Sequence, residues 1–261
     1  MSVLAIERRE GGVLRVEMAR PEAFNTLDET MAGEITQAFS EAEKDPGVRC
    51  VVLAGQGKAF SAGADVQYMK RQGEASEAAN LEDAGRFAGM LHAIATCPKP
   101  TIARVQGDVY AGGMGLVAAC DMAVSVDTAW YCLSEVKIGL VPATISPYVL
   151  RAMGTRASQR YFLTAERFTA SEAHRIGFVH EVVAADALDA KVDELVKALT
   201  GASPAAVRAC KQLIADVAGR EIDDALIAKT VEGIADIRAS EEGREGVQAF
   251  LQKRKPSWLG R

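Results

Sequence analysis

The sequence predicts an α/β protein whose largely parallel inner sheet begins with a β-hairpin and is followed by a helical region. Three observations support this fold class. Strand-like and helix-like segments alternate up to about residue 145, as they do in proteins built on parallel sheets. A hairpin pattern opens the chain. The stretch after about residue 200 has amphipathic helical patterns and no strand pattern.

Apolar periodicity and turn residues define the elements of the first half. Two alternating runs joined by Glu10-Gly11-Gly12 predict the hairpin, and Asp28 can cap a helix that runs to about Ala42. Residues 66–79 are polar and unpatterned, which predicts a loop. The predicted strands are Leu4–Arg8, Val13–Met18, Val48–Ala54, Thr101–Val105, Asp121–Val126 and Trp130–Leu133, and the further helices are Asp83–Thr96 and Leu116–Ala119.

The second half is predicted to be mainly helical. The predicted helices are Tyr148–Met153, Ala157–Leu163, Ser171–Ile176, Asp186–Thr200, Pro204–Val217, Ile222–Ile237 and Glu241–Gln252. Helices that cannot bury a full apolar face within their own domain commonly pack against another subunit. We therefore expect the last helices to lie at subunit contacts.

Length and charge exclude several classes of protein. A chain of 261 residues forms one large domain or two modest ones, and it can bury enough surface to fold without disulfides. With 30 Lys and Arg against 35 Asp and Glu, the net charge is −5 and no basic block is present. Nucleic acid is therefore an unexpected partner, because phosphate binding needs clustered Lys and Arg.

Cysteine and histidine patterns point to a reduced compartment and to no metal. The five cysteines have no CxxC spacing and lie mostly in apolar runs, which is typical of buried thiols in a cytoplasmic protein, although a catalytic thiol stays an alternative. The three histidines lack zinc-binding spacing. No apolar run approaches the roughly 18 residues that span a bilayer, and neither GxGxxG nor GxxxxGK[ST] is present.

Some of the 23 glycines cluster in two loops of small residues, one at 55–65 and one at 106–115, each placed between a strand and a helix. The first amides of a helix lack intrahelical acceptors and carry the positive end of its dipole. Two such loops on neighbouring strands could place two N–H donors on one oxygen, which would form an oxyanion hole. Tight packing of helix on strand explains such glycines equally well, so spacing alone leaves both readings open.

Four segments resemble the enoyl-CoA hydratase/isomerase (crotonase) superfamily, in order along essentially the whole chain. They are RPEAFNTLD (20–28), FSAGAD (60–65), VQGDVYAGGMGLVAACDMAV (105–124) and FLQKRKPSW (250–258). The resemblance implies a crotonase-like spiral of ββα units. It also implies an α/β core over residues 1–199 and a helical trimerisation region over 200–261, in a homotrimer or a dimer of trimers.

The resemblance assigns the binding of an acyl-CoA thioester to specific positions. The backbone amides of Ala64 and Gly112 would form the oxyanion hole, and the backbone from Ala62 to Asp65 would face the CoA adenine. Lys253 would lie near the CoA phosphates across a subunit contact. Asp65 could instead cap a helix, and Lys253 could be a solvated charge. Coenzyme A would be part of the substrate, with no separate cofactor.

The resemblance also identifies Glu135 as the catalytic carboxylate. Its apolar neighbours should raise its pKa, which suits proton transfer; a surface glutamate paired with Lys137 is the alternative. The hydratases of this family use a second glutamate, and its position here is Gly115. A double-bond shift needs only one base, so Gly115 favours an isomerase.

The run LSEVKIGLVPATISPY (133–148) most resembles bacterial hydratases of branched or glutaconyl-type enoyl-CoA thioesters, several of which also carry glycine at the first position. A hydratase is therefore the preferred hypothesis. A 3,2-enoyl-CoA isomerase and a catalytically silent acyl-CoA-binding member are the alternatives. The side chains that could help to hold the water are Ser134, Thr144, Ser146, Asp108 and Tyr110, and those that could line the acyl pocket include Tyr68 and Met69.

Overall fold

The computed structural model describes residues 2–259 and confirms the α/β architecture. The strands are β1 (Leu4–Arg9), β2 (Val13–Met18), β3 (Cys50–Gly55), β4 (Ala59–Ser61), β5 (Thr101–Val105), β6 (Asp108–Tyr110), β7 (Met122–Val126), β8 (Trp130–Cys132), β9 (Phe168–Thr169) and β10 (Glu181–Val183). The helices are α1 (Glu29–Lys44), α2 (Val66–Glu74), α3 (Glu77–Thr96), α4 (Gly112–Ala119), α5 (Ser146–Thr164), α6 (Ala170–Arg175), α7 (Leu188–Gly201), α8 (Pro204–Val217), α9 (Asp224–Ala239) and α10 (Glu241–Leu251).

The main sheet has the strand order β1-β2-β3-β5-β7-β10. The hairpin β1–β2 is antiparallel, and the other pairs are parallel. All six residues of β3 are buried, as expected for a central strand that is covered on both faces. The hairpin start and the parallel inner sheet are therefore confirmed.

A second sheet of four short strands has the order β4-β6-β8-β9. The prediction from the sequence was incomplete here, because it placed β4 and β6 within loops. Each of these strands has only three residues and so shows no usable alternation. Three pairs of consecutive strands divide between the two sheets: β3–β4, β5–β6 and β7–β8. In each pair the first strand belongs to the main sheet and the second to the four-stranded sheet, which confirms the ββα repeat.

The predicted loop at residues 66–79 was wrong. The structure has α2 over most of it and starts α3 at Glu77. Only Tyr68 of α2 is buried, and the nine-residue helix is short and mostly polar, so its few apolar positions were not recognised as one face of a helix. In the second half, β9 and β10 were also missed. The two helices predicted at 148–153 and 157–163 are confirmed, because α5 consists of two helical segments that meet at the non-helical residue Gly154 (φ 73°).

The last three helices follow the prediction closely but bury little. Within residues 204–251, α8 has no buried residue, α9 buries only Leu226 and α10 only Ala249. Their apolar side chains are exposed instead: Leu213, Ile214, Ile227, Val231, Ile234, Val247, Phe250 and Leu251. Within residues 2–259, none of the helices combines the length and the hydropathy that a bilayer crossing needs.

Candidate active site

Two connections between strand and helix pack against each other at one edge of the second sheet. The first loop (Ala62–Asp65) joins β4 to α2, and Ala111 lies between β6 and α4. A Cβ atom on Gly63 (φ 90°) would lie 3.0 Å from the Cβ of Ala111 and 3.2 Å from the carbonyl oxygen of Tyr110. A Cβ atom on Gly113 would lie 2.8 Å from that of Ser61. The glycines therefore let the two backbones touch.

The backbone of Leu27 fixes the direction of the Ala64 amide. Leu27 N donates to the Gly63 carbonyl at 2.7 Å, and Asp65 N donates to the Leu27 carbonyl at 2.9 Å. These bonds form a parallel bridge between Leu27 and Ala64. Because backbone groups alternate in direction along an extended chain, the N–H of Ala64 points away from Leu27.

The second loop is Ala111–Gly113, and its last two residues are already the start of α4, which has no side-chain cap. Gly112 is the first residue of α4, and Ala111 before it has a left-handed φ of 47°. In the described chain, no side chain caps the start of α4. The first amide of the helix therefore keeps its N–H available and stands at the positive end of the helix dipole.

The side chain of Asp65 satisfies the start of α2. It accepts hydrogen bonds from Gln67 N at 2.9 Å and from Tyr68 N at 3.0 Å. The bond from the Tyr68 amide is the main reason that the pKa of Asp65 is lowered. The sequence left open whether Asp65 caps a helix, and in the structure its side chain caps α2.

A cavity of about 820 Å³ lies in front of both loops. Its walls include Ala62, Ala64, Ala111 and Gly112, parts of α2 and α3, and much of the segment 134–145. The structure thus brings the two amides that the resemblance pairs to one cavity. Neither Asp65 nor Lys253 is among the described residues that line it.

Glu135 faces the same cavity from the turn that follows β8. Its Oε2 atom is buried and has no hydrogen-bond partner within residues 2–259. Burial raises the pKa of this carboxyl group, because removal of water disfavours the charged form. No ion pair forms with Lys137 in the described chain. A carboxyl group with a raised pKa and one oxygen without a partner is suited to take up and release a proton.

Ile145 fills the space beside Gly115. A Cβ atom on Gly115 would lie 2.2 Å from the Cγ2 atom of Ile145 and 3.3 Å from the Cδ2 atom of Leu91. Ile145 lines the cavity and is only 4% exposed. An apolar side chain therefore occupies the place to which the resemblance assigns a second carboxylate.

Of the residues whose hydroxyl groups were suggested for holding a water molecule, Ser134 and Thr144 line the cavity. The Ser146 hydroxyl donates to the carbonyl oxygen of Ala143 at 2.8 Å, which is a local backbone contact. Ser134 and Thr144 thus stay candidates on position, and Ser146 is better explained by local structure.

Asp108 and Tyr110 are directed elsewhere. The Asp108 carboxylate accepts from Trp130 N at 2.9 Å and pairs with Arg167 at 3.6 Å. The Arg167 guanidinium lies 5.8 Å from the centre of the Tyr110 ring. Among the described residues, neither Asp108 nor Tyr110 lines the cavity, so the structure gives them no position from which to hold a substrate water there.

The sequence reasoning missed the polar residues at the α2–α3 end of the cavity, although it named Tyr68 and Met69 as pocket residues. The Tyr68 hydroxyl donates to the carboxylate of Asp83, and burial together with this bond raises the pKa of Tyr68. Asp83 also accepts from Arg86 at 3.1 Å. Gln72 and Asn80 line the same end. The incorrect loop at 66–79 hid this group, since it removed the first of the two helices that form it.

Lys253 lies just after α10, has a φ of 52° and is exposed. Its expected contact with a CoA phosphate involves a neighbouring subunit, so its role stays a prediction. The cysteines lie outside the described lining of the cavity, and burial raises the pKa of the Cys50 thiol to about 12. A catalytic thiol therefore has no structural support. Among the described residues, no group of His, Cys, Asp and Glu side chains could hold a metal ion.

Comparisons with known proteins agree with the geometry. The family model "Enoyl-CoA hydratase/isomerase" matches residues 8–261. A Thermus thermophilus protein, provisionally named an enoyl-CoA hydratase, is 35% identical over 96% of this chain and 99% of its own. The structure of an enoyl-CoA hydratase from Shewanella pealeana has a TM-score of 0.95 and 40% identity, covering 98% and 96%. That of an enoyl-CoA hydratase from Mycobacterium smegmatis has a TM-score of 0.93 and 35% identity, covering 99% and 100%.

Proposed function

Because the chain belongs to the enoyl-CoA hydratase/isomerase family, we propose that it is a hydratase that adds water across the 2,3 double bond of an enoyl-CoA thioester. The observation that carries this proposal is the carboxyl group of Glu135, whose Oε2 atom has no hydrogen-bond partner within residues 2–259, at a cavity that Ala64 and Gly112 also line. A catalytically silent binding protein has no need for a buried carboxyl group with a raised pKa.

The two amides act on the thioester oxygen. When the water oxygen bonds to C3, the electron pair of the double bond moves toward the thioester and leaves an enolate-like oxygen. The N–H groups of Ala64 and Gly112 donate to this oxygen, and each donor of this kind lowers the barrier by about 3–4 kcal/mol. The open end of α4 favours the same negative charge.

Glu135 moves the protons. Its carboxylate accepts a proton from the attacking water, and the resulting carboxyl group delivers a proton to C2 of the enolate. The two transfers leave Glu135 unchanged and add one molecule of water. Burial raises the pKa of Glu135, so at neutral pH its two protonation states are closer in energy than those of an exposed glutamate, which favours general acid–base catalysis.

The acyl group is proposed to be branched or of the glutaconyl type. The sequence run that supports this idea, residues 133–148, supplies a large part of the cavity wall. Within it, Ser134 and Thr144 line the cavity, and their hydroxyl groups are proposed to help Glu135 to hold the water. The coenzyme A portion would then extend past Ala62, which is exposed at the cavity.

A 3,2-enoyl-CoA isomerase is the second candidate, and a specific observation favours it. Ile145 fills the space at Gly115, so that wall of the cavity is apolar and offers no second carboxylate there. An isomerase needs one base that removes a proton from C2 of the 3-enoyl thioester and returns it to C4, which moves the double bond from C3–C4 to C2–C3. Glu135 could do this alone.

One assay separates these candidates. The protein is incubated with crotonyl-CoA, with 3-methylglutaconyl-CoA and with a 3-enoyl-CoA, while the absorbance of the conjugated enoyl thioester is followed. Loss of absorbance with either of the first two supports hydration, and a gain with the third supports isomerisation. Absence of change with all three would contradict both candidates and leave acyl-CoA binding as the function.

The variant Glu135→Gln tests the assigned acid–base group. We expect a loss of about 10²–10⁴-fold in kcat, with binding of the CoA thioester retained, because the amide keeps the shape and cannot carry the proton. Glu43→Gln is the matched control, since Glu43 is exposed on α1 and does not line the cavity. Full activity of Glu135→Gln would show that another group transfers the proton.

We further propose that the protein is a homotrimer or a dimer of trimers in which Lys253 of one subunit approaches the CoA phosphates bound by another. The exposed apolar side chains of α8–α10 are the surface that would be covered. Size-exclusion chromatography with light scattering measures the assembly. A monomer at micromolar concentration would contradict the assembly, and equal CoA-ester affinity in Lys253→Ala would contradict the phosphate contact.

A further inference from the structure

Ala111, the residue between β6 and α4, has a backbone conformation that is rare for alanine. Its φ is 47° and its ψ is −117°. These angles are close to those of the first central residue of a type II′ turn, a position that glycine normally occupies. Ala165 provides a contrast, because it has nearly the same φ, 49°, but its ψ of 31° belongs to the more common left-handed conformation. The unusual feature of Ala111 is therefore its combination of φ and ψ.

The ψ angle of Ala111 sets the direction of the Gly112 amide. Rotation about ψ turns the peptide group that joins the two residues, and in a trans peptide the carbonyl and the N–H point in opposite directions. The Ala111 carbonyl accepts from Met114 N at 2.9 Å, in the first turn of α4. The Gly112 N–H therefore points away from the body of the helix. With the ψ of Ala165, the same peptide group would face nearly the opposite way.

Three contacts hold Ala111 in this conformation. Its N–H donates to the carbonyl of Cys132 at 2.9 Å, and its carbonyl accepts from Met114 N. Its Cβ atom lies against the first loop, since a Cβ atom on Gly63 would lie 3.0 Å from it. Backbone strain of this kind persists only where the surrounding structure over-determines the conformation, and it is concentrated at functional sites. The position of Ala111 at the cavity wall agrees with such a role.

The bond to Cys132 also links the second loop to Glu135. β6 and β8 pair in parallel, and the bond from Ala111 N lies at the end of this ladder. Glu135 follows Cys132 by three residues, and Leu133 between them is buried. The residue that sets the direction of the Gly112 amide is thus tied to the strand that leads to the carboxyl group.

We propose that Ala111 is the positioning residue of the second oxyanion donor: its strained backbone aims the Gly112 N–H at the thioester oxygen and holds it in register with Glu135. This inference rests on the proposed hydratase function, and it adds a residue whose own side chain takes no part in the chemistry. A residue that cannot adopt these angles turns the amide away. Negative charge on the thioester oxygen is then bound less well, while the rest of the ligand keeps its contacts.

Binding measurements test the direction of the amide without the reaction. Isothermal titration calorimetry at pH 8 compares acetoacetyl-CoA with butyryl-CoA, which has the same number of acyl carbons. Acetoacetyl-CoA ionises to an enolate whose negative charge reaches the thioester oxygen, and butyryl-CoA carries no such charge. We expect the unmodified protein to prefer acetoacetyl-CoA. In Ala111→Val a β-branched residue meets a positive φ, so this preference should fall by at least about tenfold while butyryl-CoA binds as before.

Kinetics and a second variant extend this test. Ala111→Val should lower kcat by about 10²-fold and change KM little, because the amide acts mainly on the charge that develops during the reaction. Should Ala111→Val be recovered only unfolded, Ala111→Asn takes its place. Asparagine favours the common left-handed angles, which turn the same amide away, so we expect the same loss of preference. A preference retained by the folded variant would overturn the proposal.

Variants of Ala165 control for stability. Ala165 also has a positive φ, is buried and lies outside the described lining of the cavity. Ala111→Val and Ala165→Val should both lower Tm, but Ala165→Val keeps kcat and the preference for acetoacetyl-CoA. Ala111→Gly should raise Tm by about 2–4 °C and keep the preference, because glycine adopts these angles without strain. Loss of the preference in Ala165→Val, or a lower Tm in Ala111→Gly, would overturn the proposal.

Failure of this inference and failure of the proposed reaction are distinguishable. If no enoyl-CoA is hydrated, but the unmodified protein prefers acetoacetyl-CoA and Ala111→Val abolishes the preference, the reaction is wrong and the positioning role stands. If the unmodified protein and Ala111→Val hydrate the substrate with the same kcat, the positioning role is wrong and the reaction stands. Equal affinity of the unmodified protein for both ligands would also overturn the positioning role, since the amide would then bind no negative charge.

Discussion

The two loops that face the cavity present their amides in different ways. At the first loop, the Asp65 side chain satisfies the start of α2, and the proposed donor is the extended residue before it, Ala64. At the second loop, α4 starts without a side-chain cap, and the proposed donor is its first residue, Gly112. Similar strand–loop–helix sequences thus give one donor held by a backbone bridge and one supplied by an open helix end.

The two loops therefore depend on different structural features. The first loop depends on Gly63, whose φ of 90° lets the chain turn against Ala111. The second loop depends on an empty cap position, since a side chain that capped α4 would compete with a substrate oxygen for the same amides. Each loop can therefore be perturbed separately.

Among variants that perturb the loops themselves, the largest expected effect comes from Gly63→Ala. The Cβ atom would lie 3.0 Å from that of Ala111, in a backbone conformation that favours glycine, so the loops must separate and the Ala64 amide must move. Misplacing one donor should lower kcat by about 10²-fold, measured with the substrate that the assay identifies.

Gly33→Ala is its matched control. Gly33 lies in α1 with open space around it, so alanine there should stabilise the helix by about 0.5–1 kcal/mol and leave kcat unchanged. If Gly63→Ala keeps full activity, the first loop does not need the close contact, and the two loops are less different than their geometry indicates.

Gly115→Ala tests α4, the helix that the second loop opens, and is expected to destabilise the protein by about 1–3 kcal/mol, because the added Cβ atom would overlap Ile145. Ile145→Ala removes the overlapping Cγ2 atom. We expect urea unfolding to show that the double variant is less destabilised than the sum of the two single variants. Additive free energies would mean that Ile145 does not fill the space beside Gly115 in solution.

Asp65→Ala should have a smaller effect, confined to the first loop. The loss of the cap of α2 costs about 1 kcal/mol of unfolding free energy. Because the pKa of Asp65 is lowered in the folded protein, its contribution is present above the pKa of the unfolded chain and is lost as the pH falls through the folded value. The difference in Tm from the unmodified protein should therefore shrink in acid. A constant difference would exclude the ionised cap as its cause.

The smallest effect concerns Glu135, which faces the same cavity as both loops. Burial raises its pKa, so the folded state is less stable once the pH rises through that value and the buried carboxyl group ionises. Glu135→Gln should therefore melt at a higher temperature than the unmodified protein at pH 8, with a smaller gain at pH 4. A lower Tm at pH 8 would mean that a positive group compensates the charge.

Much of the fold follows from local sequence patterns. The hairpin, β5 and α8 agree with their predictions because alternation, apolar periodicity and turn residues are properties of neighbouring residues. Strands of three residues, such as β4 and β6, carry too little alternation to be found. They form because the preceding strands of the main sheet place them side by side.

The sequence by itself determined the class of fold and the two small-residue loops. It also identified Glu135 as the candidate catalytic carboxylate and showed that Gly115 has no side chain. Only the tertiary structure decided what stands around these residues. Leu27 directs the Ala64 amide, Ile145 occupies the space beside Gly115, and α2 and α3 together form a polar end of the cavity. These contacts join residues far apart in the chain. Packing alone determines them, and no local pattern records them.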